Sequence, residues 1–225
     1  MNRKKVVLAI LITLINLAVM AVPPAHCETE QYRYRESQQD KQLYFFWSLE
    51  QTDKAVIRSI EPDVSYYNEC EFSGNTIKWE MNKNGEVITA YRDGNRLIVN
   101  GVFAGEKFHR TFEIDDAPWF QPLSYSLRRL LKDDKRETIK FWFIRPDVLQ
   151  VVKLVAEKEP DEEIDIDGMV EATHKIRVSM NGMMKKFWSC YYWFRKRDRV
   201  FVKYEGLHGV LSSSRTVITL SDMGR

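Results

Sequence analysis

Few residues of this chain could do chemistry. Histidines 109, 174 and 208, the acids between Glu157 and Asp167, and Cys70 and Cys190 are the candidates for proton transfer, metal binding or redox work. Seven acids stand at positions 157, 159, 161, 162, 163, 165 and 167, and Glu163, Asp165, Asp167 and Gly168 imitate the opening of an EF-hand loop. Such a loop closes on a bidentate glutamate, and here that place is taken by His174 within a strand pattern. The run therefore reads as a solvated acidic loop, and no metal or other cofactor is expected. His174 falls on an apolar strand face and reads as a core residue, His109 on a wet face and His208 in a loop. No H-E-x-x-H, C-x-x-C, G-x-S-x-G or phosphate-loop pattern occurs. The expectation is a protein that is not an enzyme, although a triad assembled from distant positions leaves no such trace.

The amino terminus points to export. Arg3, Lys4 and Lys5 precede an apolar run from Val6 to Val22, followed by Pro23-Pro24-Ala25-His26-Cys27. That order of charged, apolar and small-residue segments is a secretory signal peptide over residues 1–27. The bulky His26, and the absence of leucine three residues before Cys27, argue against a lipidated cysteine. Cleavage after Cys27 removes three basic and no acidic residues, leaving 198 of the 225 residues with 31 basic against 32 acidic side chains. A chain of that size supports one domain. It has no basic excess to drive binding to phosphate backbones, so nucleic acid is not an expected partner. The expected location is the periplasm, with membrane contact at most peripheral after cleavage. In such an oxidising setting Cys70 and Cys190 could form a disulfide, worth about 4 kcal/mol by closing a long loop. Two buried free thiols are the alternative.

The elements that would position any site are mostly strands. Residues 28–41 are polar, with no apolar period, and read as an extended or mobile lead-in to a single domain over 42–225. Strands are expected at Leu43–Leu49, Val56–Ile60 and Val64–Phe72, then through a meander turned at Asn84-Gly85 and Asp93-Gly94. After a helix come further strands, of which Val170–Met180 alternates most regularly. The helix is expected over Pro118–Lys132, where Phe120, Leu123, Leu127, Leu130 and Leu131 recur at helical spacing. One apolar helix between two blocks of strands must bury its stripe against a sheet. The expected fold is mainly β, a strongly curved antiparallel sheet, or half-barrel, wrapped around one central helix.

Three aromatic runs, Tyr44-Phe45-Phe46-Trp47, Phe141-Trp142-Phe143 and Tyr191-Tyr192-Trp193-Phe194, are apolar on both strand faces. Either they are central strands covered on both sides, or one face lines an apolar cleft. The turn Asp93-Gly94-Asn95-Arg96, Ile114-Asp115 with Pro118-Trp119 leading into Leu127-Arg128, and Asn181-Gly182 before Phe187-Trp188 and Tyr192-Trp193-Phe194 carry a resemblance. Over roughly Gln42 to Leu220 they resemble a family of bacterial exported proteins known as domain of unknown function 3108. The resemblance implies a sheet curved around a helix, similar to periplasmic lipoprotein carriers of the LolA and LolB type, and implies no catalytic residues.

Two functions follow as expectations. In the first, a lipid, acyl chain or lipoprotein segment lies between sheet and helix. Trp119, Phe120, Leu123, Leu127 and Leu130 then face Trp142, Trp188, Tyr192 and Phe194. In the second, the core is filled and the protein is an envelope structural module whose partner is another envelope protein.

Overall fold

In the computed structural model, residues 28–38, 41–182, 185, 188–207 and 215–223 are described. The signal segment and His208 lie outside them. The described chain forms one 14-stranded antiparallel sheet in the order β8-β7-β6-β5-β4-β3-β2-β1-β14-β13-β12-β11-β10-β9. No described helix is long and apolar enough to cross a membrane.

The first half is a meander. Strands β1 (Glu28–Gln38), β2 (Lys41–Gln51), β3 (Ala55–Ile60), β4 (Val64–Cys70), β5 (Thr76–Lys83), β6 (Glu86–Asp93), β7 (Arg96–Phe103) and β8 (Glu106–Glu113) each pair with the next. The second half does the same from β9 (Thr138–Arg145) through β10 (Gln150–Ile166), β11 (Met169–Met180), β12 (Ser189–Arg195), β13 (Phe201–Leu207) and β14 (Arg215–Met223). The halves join where β1 pairs with β14. Tight turns set this pattern: Asn84-Gly85, Ala104-Gly105 and Asp167-Gly168 each hold two successive positive φ angles, the turn that matches strand twist.

Two stretches differ from expectation. Residues 28–38, read as a polar lead-in, are strand β1, seated between β2 and β14. Its polar residues alternate with Tyr32 and Tyr34, and Tyr34 is buried against Phe45 and Phe201. The acidic run is not a loop. It is the second half of β10, where facing cations hold it in an extended strand: Arg177 Nη2 lies 2.6 Å from Glu157 Oε2, Lys185 Nζ 2.7 Å from Glu157 Oε1, and Lys196 Nζ 2.7 Å from Asp161 Oδ2.

The helical segment is shorter than its apolar spacing predicts. Pro118–Gln121 is extended, and α1 (Leu123–Ser126) and α2 (Arg128–Lys132) meet at a turn on Leu127. Pro122 precedes the first turn, and the residue before a proline is steered away from helical geometry, so Gln121 cannot begin a helix. The extended part is used as a clamp. Phe120 N–H donates to Trp142 O (2.9 Å) and Trp142 N–H to Pro118 O (2.8 Å), attaching it to β9. Thr76 N–H donates to Trp119 O (2.7 Å) and Trp119 N–H to Asn75 Oδ1 (3.0 Å), attaching it to the start of β5. Ser126 Oγ donates to Gly74 O at 2.7 Å. At Gly74, φ is +85°, and an added Cβ would stand 3.0 Å from the Ser126 backbone, so glycine allows the turn and helix to touch. This segment thus bridges the two halves of the sheet and covers its interior.

Two apolar cores result. The larger holds Tyr34, Trp47, Leu127, Leu130, Phe141 and Phe194 under the helix. The smaller gathers Trp79, Ile88, Leu97, Trp119 and Ile144 beneath the β5–β7 meander.

Candidate ligand cleft

Between the helical segment and the concave face lies an apolar cleft of about 250 Å³. Its walls come from β1 to β5, from β9 and from β12 to β14: Tyr34, Phe45, Ile57, Tyr66 and Trp79 on one side, Phe143, Tyr192, Phe201, Tyr204 and Ile218 on the other. Strands so far apart in sheet order can line one space only because the sheet curls around it. Pro122, Leu123 and Ser124 supply the helical wall.

The aromatic walls pack against one another. Tyr34 stacks on Phe45 with ring centroids 5.3 Å apart and lies 5.2 Å from Phe201, while its hydroxyl donates to Phe201 O at 2.8 Å. Tyr192 and Tyr204 meet edge to face at 5.1 Å. Burial raises the hydroxyl pKa values of Tyr34, Tyr66, Tyr192 and Tyr204, so all four present neutral phenols. Several polar side chains of the cleft are committed. Gln121 Oε1 accepts from Trp119 Nε1 (3.1 Å) and Ile144 N–H (3.0 Å), its Nε2 donates to Ile144 O (2.8 Å), and Ser124 Oγ accepts from Trp47 Nε1 (3.1 Å).

Of the nine residues expected to contact a ligand, Leu123 and Tyr192 line this cleft. Phe120, Leu127, Leu130 and Phe194 are fully buried in the main core, where Phe120 stacks on Phe141 at 5.2 Å. Trp119 is buried in the smaller core. Trp142 is half-buried, with Nε1 donating to Asp115 Oδ1 at 2.8 Å, and Trp188 is half-buried against the main core. The aromatic runs supply Phe45, Trp47, Phe143 and Tyr192 to the walls of the cleft, while most of the residues expected to touch a ligand lie deeper, in the two cores. The walls that sequence reasoning left out include Tyr34, and the alternation of Tyr32 and Tyr34 with Arg33 and Arg35 is the strand signal that could have found it.

The other candidates disperse. Cys70 and Cys190 are buried free thiols and not a disulfide: Cys70 Sγ lies 3.8 Å from Thr76 Oγ1, while Cys190 belongs to β12, six places from β4 in the sheet. Burial pushes the Cys70 thiol up to about 12 and raises that of Cys190, so neither is a nucleophile at neutral pH. His174 is not a core residue. Its Nδ1 lies 2.9 Å from Asp161 Oδ1, with about a third of the side chain exposed. His109 is exposed beside Asn100. Among the described residues no three His, Cys, Asp or Glu side chains are grouped to hold a metal ion.

No family model and no curated protein matches the chain. Solved structures do. A beta-barrel-like protein of domain of unknown function DUF1849 from Brucella abortus matches with a TM-score of 0.55 at 7% identity, over 87% of this chain and 98% of that one. The hypothetical lipoprotein YmcC from Escherichia coli matches at 0.41 and 9% identity, over 94% and 97% of the two chains. A LolA superfamily protein from Nitrosomonas europaea matches at 0.24 and 9% identity, over 89% and 86%. The first likeness concerns fold alone, and the other two, below 0.5, carry no weight. The fold is mainly β, a curled antiparallel sheet around a short helical segment.

Proposed function

We propose that this chain is an exported, periplasmic, non-enzymatic protein that binds an apolar ligand between its concave sheet and helical segment. The observation that carries the reading is the cleft itself, walled by aromatic side chains and left unfilled beside a core that is otherwise packed. Small-molecule sites run from roughly 300 to 1,000 Å³. A space of about 250 Å³ therefore suits one alkyl chain or ring system better than a whole diacyl lipid. Each 100 Å² of apolar ligand surface removed from water contributes about 2.5 kcal/mol before ordering costs. The signal-peptide reading of residues 1–27 supports export. The kinship with exported family 3108 belongs to this proposal too.

Native mass spectrometry of the mature protein, purified from the periplasm without detergent and then extracted with organic solvent, tests it. The expected result is a reproducible mass excess that extracts as an apolar molecule. Ser59→Trp places an indole in the cleft from the half-buried end of β3, and the excess should vanish while the circular dichroism spectrum stays the same. A wild-type protein that carries no excess and takes up no alkyl probe would overturn the reading.

A second reading has one observation in its favour. On the convex face Tyr44, Phe46 and Ile60 are 43%, 61% and 57% exposed, and the Arg33 guanidinium lies 4.3 Å from the Tyr44 ring centroid. Such a patch suits contact with another envelope protein.

A further inference from the structure

The cleft deepens along β3 and β4 towards a polar atom. Ser59 pairs with Tyr66, and two places further along, Ile57 pairs with Asn68, which pairs in turn with Trp79 on β5. All five residues line the cleft. Ser59 and Tyr66 are half-buried, as are Phe143 and Pro146 of the same cleft. Ile57, Asn68 and Trp79 are 1%, 4% and 1% exposed, so this rung is the closed end.

At that end Asn68 Oδ1 is buried without a hydrogen-bond partner. Among the described residues, the other buried side-chain atoms in this condition belong to Arg128, Arg177, Ser179 and Thr216, none of which lines the cleft. An unpaired buried acceptor costs stability, and a donor brought by a ligand removes that cost. The Gln121 amide, the Ser124 Oγ acceptor and the Tyr34 hydroxyl are already engaged with protein atoms. No Asp, Glu, Lys, Arg or His lines the cleft. A charged head carried to the depth of Asn68 would shed its water and meet no counter-charge. The closed end therefore asks for a neutral group that donates.

Building on the cleft as a ligand site, we propose that its ligand is an uncharged amphiphile that enters head first, its small head carrying a hydroxyl or amide N–H donor. The donor meets Asn68 Oδ1 between Ile57 and Trp79. The alkyl tail runs back along the aromatic walls, past Tyr66 and Phe143, towards solvent.

Titration calorimetry on delipidated mature protein tests this with decanol against nonyl methyl ether, which has the same number of heavy atoms and no donor. Decanol should bind about tenfold more tightly, or about 1.4 kcal/mol, the worth of one such hydrogen bond. Decanoate and decylammonium should each bind more weakly than decanol. Decyl glucoside, whose head is too bulky for the closed end, should bind no better than the ether. Asn68→Leu keeps the side-chain size and removes the acceptor, so decanol should lose its advantage while the ether stays within about twofold of its wild-type affinity. If decanol and the ether bind the wild type alike, as they would were Oδ1 satisfied by a held water, the donor is wrong and the cleft stands; this comparison needs no variant. A decanol advantage that survives in folded Asn68→Leu also sinks the assignment. A charged probe that matches decanol refutes the neutral head, and a glucoside that matches it refutes head-first entry. If none of the probes binds, the cleft reading falls together with this one.

Discussion

Glu61 is the residue whose position costs the fold most plainly. Its carboxyl is raised by burial and by Glu36 from an ordinary 4.5 to about 7. Between those values the folded state holds a proton that the unfolded state releases, so stability falls as pH rises from about 4.5 to 7. Glu61→Gln removes that proton linkage. Thermal unfolding followed from pH 5 to pH 8 should show the wild type losing up to about 3 kcal/mol that the variant keeps. Equal pH slopes in the two proteins would show that Glu61 is solvated and does not press on the cleft. Asn68 carries a cost of the same kind, since its Oδ1 is buried beside the cleft without a hydrogen-bond partner.

At the scale of elements, an ion pair adds to the hydrogen bonds that hold the helical segment to the sheet. Arg128 on α2 makes a bidentate pair with Glu30 on β1, at 2.8 and 2.9 Å, and its guanidinium carbon lies 5.5 Å from the Trp47 ring centroid. The arginine is 8% exposed. Removing one partner of such a pair strands a buried charge, which costs about 3–5 kcal/mol, whereas replacing both by apolar groups is close to neutral. Glu30→Ala should therefore lower the urea midpoint sharply, and Glu30→Leu with Arg128→Met should recover most of the loss. A double variant as unstable as the single one would mean that the pair itself, and not the stranded charge, sets the stability. Spacing along a helix says nothing about which strand the far side of Arg128 meets, so this pair leaves no trace in the sequence. The same limit explains the cleft. Alternation in Phe45-Phe46-Trp47 identifies two faces, and Phe45 and Trp47 are indeed inside with Phe46 out. Which apolar faces touch, and which enclose space, depends on the curl of the sheet, and that is a property of all the strands together. Turn chemistry was legible because Asn84-Gly85 carries its geometry locally. The acidic half of β10 was not, because its pairing cations lie on β11 and beyond.

Over the whole molecule, the most distant contact in sequence is the one that unites the sheet. β1 and β14 pair from Tyr32 with Met223 to Gln38 with Thr216, so the two ends of the described chain form its middle. Each half is otherwise a meander of neighbouring strands, made of local hairpins. Without β1, the outer edges of β2 and β14 would both lie open, Tyr34 would leave the space between Phe45 and Phe201, and Arg128 would lose Glu30. A polar stretch that composition assigns to an extended or mobile lead-in is therefore the keystone of the sheet. A chain beginning at Lys41 should lose the cooperative thermal transition of the chain beginning at Glu28, and the exposed strand edges should drive it to aggregate. A peptide of residues 28–38 added during refolding should restore part of the transition by inserting between β2 and β14. If the shortened chain melts as one cooperative unit within a few degrees of the longer one, β1 is an appendage to a sheet that closes without it. In that case the cleft would have to keep its shape with one wall missing.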